Sequence, residues 1–273
     1  MPSFAVAMGR TSNYGPHMDS SLDDLFAAVA AGRVTAAEGA ERVRRLGFSS
    51  VGDFALLDVT RTARKGVPEV VYAEGKTAEQ VVAITRRFLE HDLVVLCSRV
   101  SDEQAAALAA EVDGAVEHDP RSRVVVARRA GAEPREQRGA VGVLAAGTSD
   151  VAVAAEAVAM IRAMDVAAVA AFDVGVAGLH RLSGPLAEMG EAGVGAMVVA
   201  AGMEGALPSV VAGLVEVPVI GLPTSSGYGF GGRGEAALMG MLQSCSPGLA
   251  VVNIDNGIGA GATAALIARA AAA

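Results

Sequence analysis

The sequence predicts an α/β protein whose C-terminal half is a doubly wound parallel sheet, with a smaller N-terminal α/β segment preceded by a helical hairpin. Three observations carry this. From residue 139 onward five apolar runs recur, each followed by a glycine-rich turn and a helical pattern, the rhythm of a parallel sheet with crossover helices. None of the five alternates, so each reads as a strand buried on both faces. Upstream, the strand- and helix-type segments end in Arg129–Arg138, a polar stretch with Gly, Pro and mixed charge. That stretch is the predicted boundary between segment 19–138 and domain 139–273.

The elements follow in order. Residues 1–18 carry no periodicity and are expected to form a flexible arm. Ser21 can cap a first helix, with Asp23 and Asp24 in its first turn, Leu22, Leu25, Phe26 and Val29 on one face, and Gly32 at its end. Thr35 to Glu38 reads as a capping box opening a second helix that runs to Leu46 and stops at Gly47. Glu69–Ala73 is a strand. Thr77 to Gln80 opens a helix ending near His91, Leu93–Ser98 is a buried strand, and Ser101 to Gln104 opens another helix. Arg123–Arg128 is the last strand before the boundary. The five runs beyond it are Ala140–Ala145, Val166–Ala171, Gly195–Ala200, Val217–Leu222 and Leu249–Ile254.

Composition bounds the function. The chain is 52% hydrophobic and 19% charged, which fits a globular protein with a large core. A mean hydropathy of +0.42 exceeds what one soluble subunit readily buries, so a homo-oligomer is expected. The net charge of −8 argues against a nucleic-acid backbone as partner. It leaves nucleotides open, because backbone N–H groups bind phosphate without cationic side chains. Cys97 and Cys245 stand too far apart in sequence for a CxxC pair, so neither a cysteine-built zinc site nor a disulfide framework is expected. The apolar stretch Val194–Met203 is too short for a membrane span, and no secretory signal opens the chain. A cytoplasmic location is the expectation.

Ligands in doubly wound sheets bind beyond the carboxyl ends of the strands, so the five following loops hold the candidate site. The first contains Gly147, Thr148, Ser149 and Asp150. It suits a phosphate at a helix start and equally suits an ordinary helix cap. The second runs from Asp173 to His180 and Arg181. His180 reads with equal weight as a structural hydrogen-bonding residue or as a functional one. In the third, Glu204 either complements a helix dipole or acts as a base. The fourth spells a literal GxGxxG at Gly227, Gly229 and Gly232, with Ser225 before it. A Rossmann reading is set aside, because the match follows the fourth strand and not the first. The fifth groups Asn253, Asp255 and Asn256.

Together the strings GTSD, DVGVAGLHR, AGMEGALPS, PTSSGYG and NIDNGIGAG resemble the LarB family, the pyridinium-3,5-biscarboxylic acid mononucleotide synthases. Leu57–Arg61 and Gly66–Thr77 resemble that family's N-terminal region, and the likeness spans roughly residues 20–270. The second half alone is similar to PurE, the aminoimidazole ribonucleotide carboxylase. Thr148, the Ala206–Ser209 string and the presence of Cys245 depart from PurE and favour LarB.

The LarB resemblance implies carboxylation of nicotinic acid adenine dinucleotide by carbon dioxide or bicarbonate, then hydrolysis that releases AMP. It implies Cys245 as nucleophile and Glu204 as base, where the residues alone would make Cys245 a small buried apolar group. An octamer follows by analogy, as do sulfur-transfer and nickel-insertion enzymes as users of the product. Mg²⁺ on the pyrophosphate is expected, with Asp150, Asp173 and Asp255 as candidate ligands. No biotin or ATP motif is evident. The rival expectations are a PurE-type carboxylase or mutase and a non-catalytic nucleotide-binding protein.

Overall fold

The computed structural model describes residues 25–39, 47–133 and 135–273. The predicted arm 1–18, the Ser21 cap with Asp23 and Asp24, and the end of the second helix at Leu46 lie outside the described residues. The chain divides into two compact units between Lys65 and Gly66.

The first unit has helical residues 25–30 and 36–39. The Thr35 capping box forms: Glu38 N donates to Thr35 Oγ1, and the Glu38 carboxylate accepts from Thr35 N. A hairpin of β1 (Phe48–Val51) and β2 (Ala55–Asp58) follows, then the short helix α1 (Arg61–Lys65). The sequence gives little sign of the hairpin, because its strands are four residues long and only Val51 and Leu57 are buried. Arg64 and Thr60 hydrogen-bond Asp58 and hold its carboxyl down at about 2.

The second unit holds two sheets. The smaller has the order β3 (Glu69–Tyr72), β4 (Val94–Ser98), β6 (Val124–Arg129), β5 (Gly114–Asp119). β3 and β4 are parallel and the other pairs antiparallel. Its helices α2 (Ala78–Leu89) and α3 (Asp102–Glu111) both open on full capping boxes, at Thr77 and Ser101. β5 is an addition to the elements expected from sequence; it is an edge strand exposed along most of its length and lacks an apolar signal.

The larger sheet has the order β11 (Leu249–Val251), β10 (Val219–Pro223), β9 (Ala196–Ala201), β7 (Ala140–Ala145), β8 (Ala167–Phe172), all parallel. In chain order this is 2-1-3-4-5, with its topological switch between β7 and β9. The three central strands are buried throughout. β8 and β11 correct the expectation of two-sided burial: both are edge strands, and their side chains are mostly half-exposed.

Helices α4 (Val151–Ala163) and α8 (Gly257–Ala271) cover one face of this sheet. They lie against each other through small residues. A Cβ on Gly261 would stand 2.6 Å from the Ala157 carbonyl oxygen, so only glycine permits this approach. The other face packs on α5 (Ser183–Glu191), α6 (Ala206–Ala212) and α7 (Glu235–Leu242). Leu96 and Val124 of the small sheet join the α4/α8 core, so the two sheets share apolar interior across the 129–138 connection. Among the described residues no helix is long and apolar enough to cross a membrane.

Candidate functional site

The loops that leave the carboxyl ends of the large sheet bond to one another. Asp150 ends the 3-10 turn Thr148–Asp150 and precedes α4, yet its carboxylate makes no capping bond to that helix. It is buried and turned inward. Oδ2 accepts from Gly147 N at 2.8 Å, and Oδ1 accepts from Thr224 Oγ1 at 2.5 Å and Ser226 Oγ at 2.6 Å. The first loop is thereby tied to the fourth. Thr224 is fully buried and Ser226 exposed. Sequence alone singles out neither, although both stand in the PTSSGYG string.

Asp255 ties the fifth loop to the fourth: its Oδ1 accepts from Ser225 N at 2.8 Å, and its own N–H donates to Pro223 O. The third loop presses on the fourth. A Cβ on Gly202 would lie 2.3 Å from Ser226 Oγ, and one on Gly227 2.9 Å from Met203 N. Gly227 is therefore required by loop packing, which accounts for part of the literal GxGxxG. Three non-glycine residues just past strand ends adopt left-handed backbone, Asp173 (φ +60°), Met203 (+50°) and Asp255 (+55°). Aspartate tolerates this; for Met203 it is strained, and such strain concentrates at functional sites.

Gly147 behaves differently from Gly227. Its φ is −126°, and an added Cβ would meet nothing closer than 3.6 Å. Nothing within the described fold demands glycine there: Asp150 Oδ2 and Ser149 Oγ would meet that Cβ at ordinary contact distances. Thr148 and Ser149 flank it on the surface side of the loop.

Asp173 pairs with Arg181 at 3.0 Å, while His180 is exposed on the same 3-10 turn, Val176–Leu182. Glu204 is exposed in the turn between β9 and α6, at the switch point. Asn256 caps α8 by accepting from Gly259 N, and Asn253 accepts from the neighbouring Ile254 N.

Asp150, Asp173 and Asp255 do not converge. Among the described residues no group of three or more His, Cys, Asp or Glu could hold a metal ion.

The two cysteines are opposites. Cys97 is buried in β4 against Thr85 Oγ1, and burial pushes its thiol up to about 11. Cys245 is exposed. It lies in the connection between α7 and β11, which enters the sheet at its amino edge; Glu204 lies on the carboxyl edge. Ser246 next to it donates to Ser209 O of α6.

One contact joins the small sheet to this region and carries no signal in sequence. Arg99, just past β4, pairs with Glu156 of α4 at 3.4 Å and donates to Asp255 O at 3.3 Å. Burial raises the Glu156 carboxyl to about 7; Arg99 opposes that rise and Asp255 adds to it. The partners are 57 and 156 residues away, beyond any local pattern.

A 2-1-3-4-5 parallel sheet with a polar carboxyl edge is the architecture of a PurE-like domain, and residues 140–273 match the AIR carboxylase family model. The domain is of carboxylase type. Residues 48–129 match the LarB/PurE-like N-terminal domain, and the chain belongs to the LarB family. It is similar to the uncharacterized protein MJ0165 of Methanocaldococcus jannaschii, 39% identical over 258 residues, which are 92% of this chain and 98% of that protein.

Proposed function

We propose that the protein carboxylates the pyridinium ring of nicotinic acid adenine dinucleotide and hydrolyses its phosphoanhydride. The products are pyridinium-3,5-biscarboxylic acid mononucleotide, a nickel-pincer cofactor precursor, and AMP. The observation that carries this reading is an exposed thiol and an exposed carboxylate, Cys245 and Glu204, in a carboxylase-type family.

The chemistry requires both. A pyridinium ring and carbon dioxide are electrophiles and do not combine. Addition of the Cys245 thiolate to the ring forms a C–S bond and a neutral dihydropyridine. Its enamine carbon C5 then forms the new C–C bond to carbon dioxide. Glu204 takes the C5 proton, the C–H electron pair re-enters the ring, and the C–S bond breaks to release thiolate and restore the aromatic cation. The first loop, which leads through the turn Thr148–Asp150 into a helix start, suits a phosphate of the dinucleotide.

Within one chain Cys245 and Glu204 lie on opposite edges of the sheet. The reading therefore includes a homo-oligomer in which Cys245 of one copy reaches Glu204 of another. α7, which leads into Cys245, is apolar on all sides; Ala237 and Met241 are buried, while Met239 and Leu242 are 66% and 64% exposed. A helix apolar all round is one whose outer face is covered too. Asp150 already accepts three hydrogen bonds and Asp173 is paired with Arg181, so a Mg²⁺ ion on the pyrophosphate would take its remaining ligands from the phosphates and water.

The opposite-edge position of Cys245 also favours a second reading, a PurE-type carboxylase or mutase of an aminoimidazole ribonucleotide, which needs no thiol. Mass spectrometry after incubation with ¹³C-bicarbonate separates the two. We expect label in a pyridinium mononucleotide, with AMP released. Label in the aminoimidazole ribonucleotide, with the dinucleotide unchanged, would overturn the first reading.

A further inference from the structure

Acids stand at or near the carboxyl end of the large sheet: Asp150, Asp173, Glu204 and Asp255 in its loops and Glu156 on α4. A dinucleotide adds two phosphate charges and needs cations. On the large sheet Arg181 is already paired with Asp173, and Arg233 is 91% exposed and within 3.9 Å of Glu235. Two further guanidinium groups come from the small sheet: Arg123, and Arg99, which Glu156 already pairs at 3.4 Å.

Arg99 follows β4 and Arg123 precedes β6, its antiparallel neighbour. Both hold left-handed backbone, φ +58° and +54°. Two arginines in a region that L side chains rarely adopt, side by side at one sheet end, mark a place where strain is retained for function. Arg123 donates from Nε to Val100 O at 3.1 Å and from Nη2 to Arg99 O at 3.2 Å, which braces its guanidinium plane. Nη1 stands outside these bonds. Arg99 reaches Asp255 O, so this end of the small sheet abuts the fifth ligand loop.

Tyr72 completes the group. It lies opposite Ser98 in the β3–β4 register, so its ring is beside the end of the strand that Arg99 follows. It is 52% exposed, its hydroxyl donates to Glu74, and both arginines act on it electrostatically. An exposed ring can stack a base, a guanidinium can hold a phosphate, and a carboxylate beside them can accept from ribose hydroxyls.

We propose that Tyr72, Arg99 and Arg123 form a second nucleotide subsite on the small sheet, one that takes the adenylate half of the dinucleotide. This deepens the proposed function and rests on it for the dinucleotide. The carboxylation chemistry concerns only the pyridinium half, and a single-phosphate substrate would leave Arg123 Nη1 without a ligand to hold. With this subsite the N-terminal sheet lengthens the ligand edge from a mononucleotide site to a dinucleotide site.

Calorimetry on the assembled full-length protein tests this, with AMP, nicotinic acid mononucleotide and nicotinic acid adenine dinucleotide titrated separately. The variant is Arg123→Asn, because asparagine tolerates left-handed backbone and removes the charge without a new strain. Tyr72→Leu is the second variant, at an exposed strand position where folding is undisturbed. Wild-type protein is expected to bind AMP. Each variant is expected to weaken AMP and dinucleotide about tenfold or more, the scale of one charge-assisted hydrogen bond for Arg123 and of one stacked base for Tyr72, while the mononucleotide changes less than about twofold. No AMP binding by the wild type, or AMP affinity unchanged in both variants, would overturn the subsite. Equal weakening of AMP and the mononucleotide would overturn it too, by assigning Arg123 to the pyridinium end. AMP bound and lost as described, with no carboxylation of the dinucleotide, would support the subsite and count against the substrate reading alone.

Discussion

At the carboxyl edge of the large sheet the loops are cross-linked: Asp150 joins the first to the fourth, Asp255 the fifth to the fourth, and Gly202 and Gly227 seat the third on the fourth. At the amino edge the connections 164–166, 192–195, 213–218 and 243–248 only lead helices back into strands, and the last of them carries an exposed thiol. The contrast teaches that one chain gathers the binding loops of the proposed site and carries the proposed nucleophile, Cys245, on the far side of the same domain. Under the proposed reading that thiol serves a neighbouring copy.

The sharpest way to break this comparison is to remove the thiol. Cys245→Ser is expected to abolish carboxylation, because a serine hydroxyl is far harder to ionise at neutral pH, while dinucleotide binding persists in calorimetry. Cys97→Ser, in the buried strand, serves as control and is expected to alter stability and spare activity. A Cys245→Ser variant that carboxylates at the wild-type rate would leave the amino edge without a role. Glu204→Gln, on the carboxyl edge, is expected to lower the carboxylation rate by about 10²–10⁴-fold, the range of general base catalysis. A near-normal rate would return Glu204 to a helix-dipole role.

A smaller effect is expected at Gly147. Its backbone is extended and an added Cβ meets its neighbours only at ordinary contact distances, so Gly147→Val should fold normally by circular dichroism and weaken nucleotide binding strongly. Unchanged affinity would make the first loop a helix start and nothing more.

The smallest effect concerns Glu156. Burial raises its folded carboxyl to about 7 from the ordinary 4.5, so the unfolded chain ionises first as pH rises. The folded state holds more protons between these values, and the contribution to stability falls as pH climbs from about 4.5 to 7 and is fully lost above 7. The cost is at most about 3.5 kcal/mol at roughly 1.4 kcal/mol per pH unit. Glu156→Gln is expected to flatten the fall in thermal midpoint between about pH 5 and pH 8. A parallel fall in wild type and variant would contradict the assignment.

Much of this is legible in sequence. The three capping boxes, the five runs and the family strings rest on neighbours in the chain, and the described residues show the elements where those signals stand. What escapes depends on distant partners. The β1–β2 hairpin and β5 are short or exposed and leave no apolar signal. Thr224 and Ser226 gain meaning only because Asp150, 74 and 76 residues earlier, turns toward them. Arg99 reads as a surface cation until Glu156 and Asp255 meet it. The placement of Cys245 opposite Glu204 follows from strand direction, which the repeated strand–helix rhythm already implies.

The most direct test of a site built from two edges is complementation. Cys245→Ser and Glu204→Gln chains would be co-expressed with different tags, purified as mixed oligomers, and assayed for ¹³C incorporation from bicarbonate into the pyridinium mononucleotide. Each chain lacks one half, so a site drawing its thiol and its base from different copies is intact by chance in roughly one quarter of random pairings in a symmetric oligomer. The expected result is recovery to about that fraction of wild-type activity. Mixed oligomers no more active than the two variants alone would contradict the shared site.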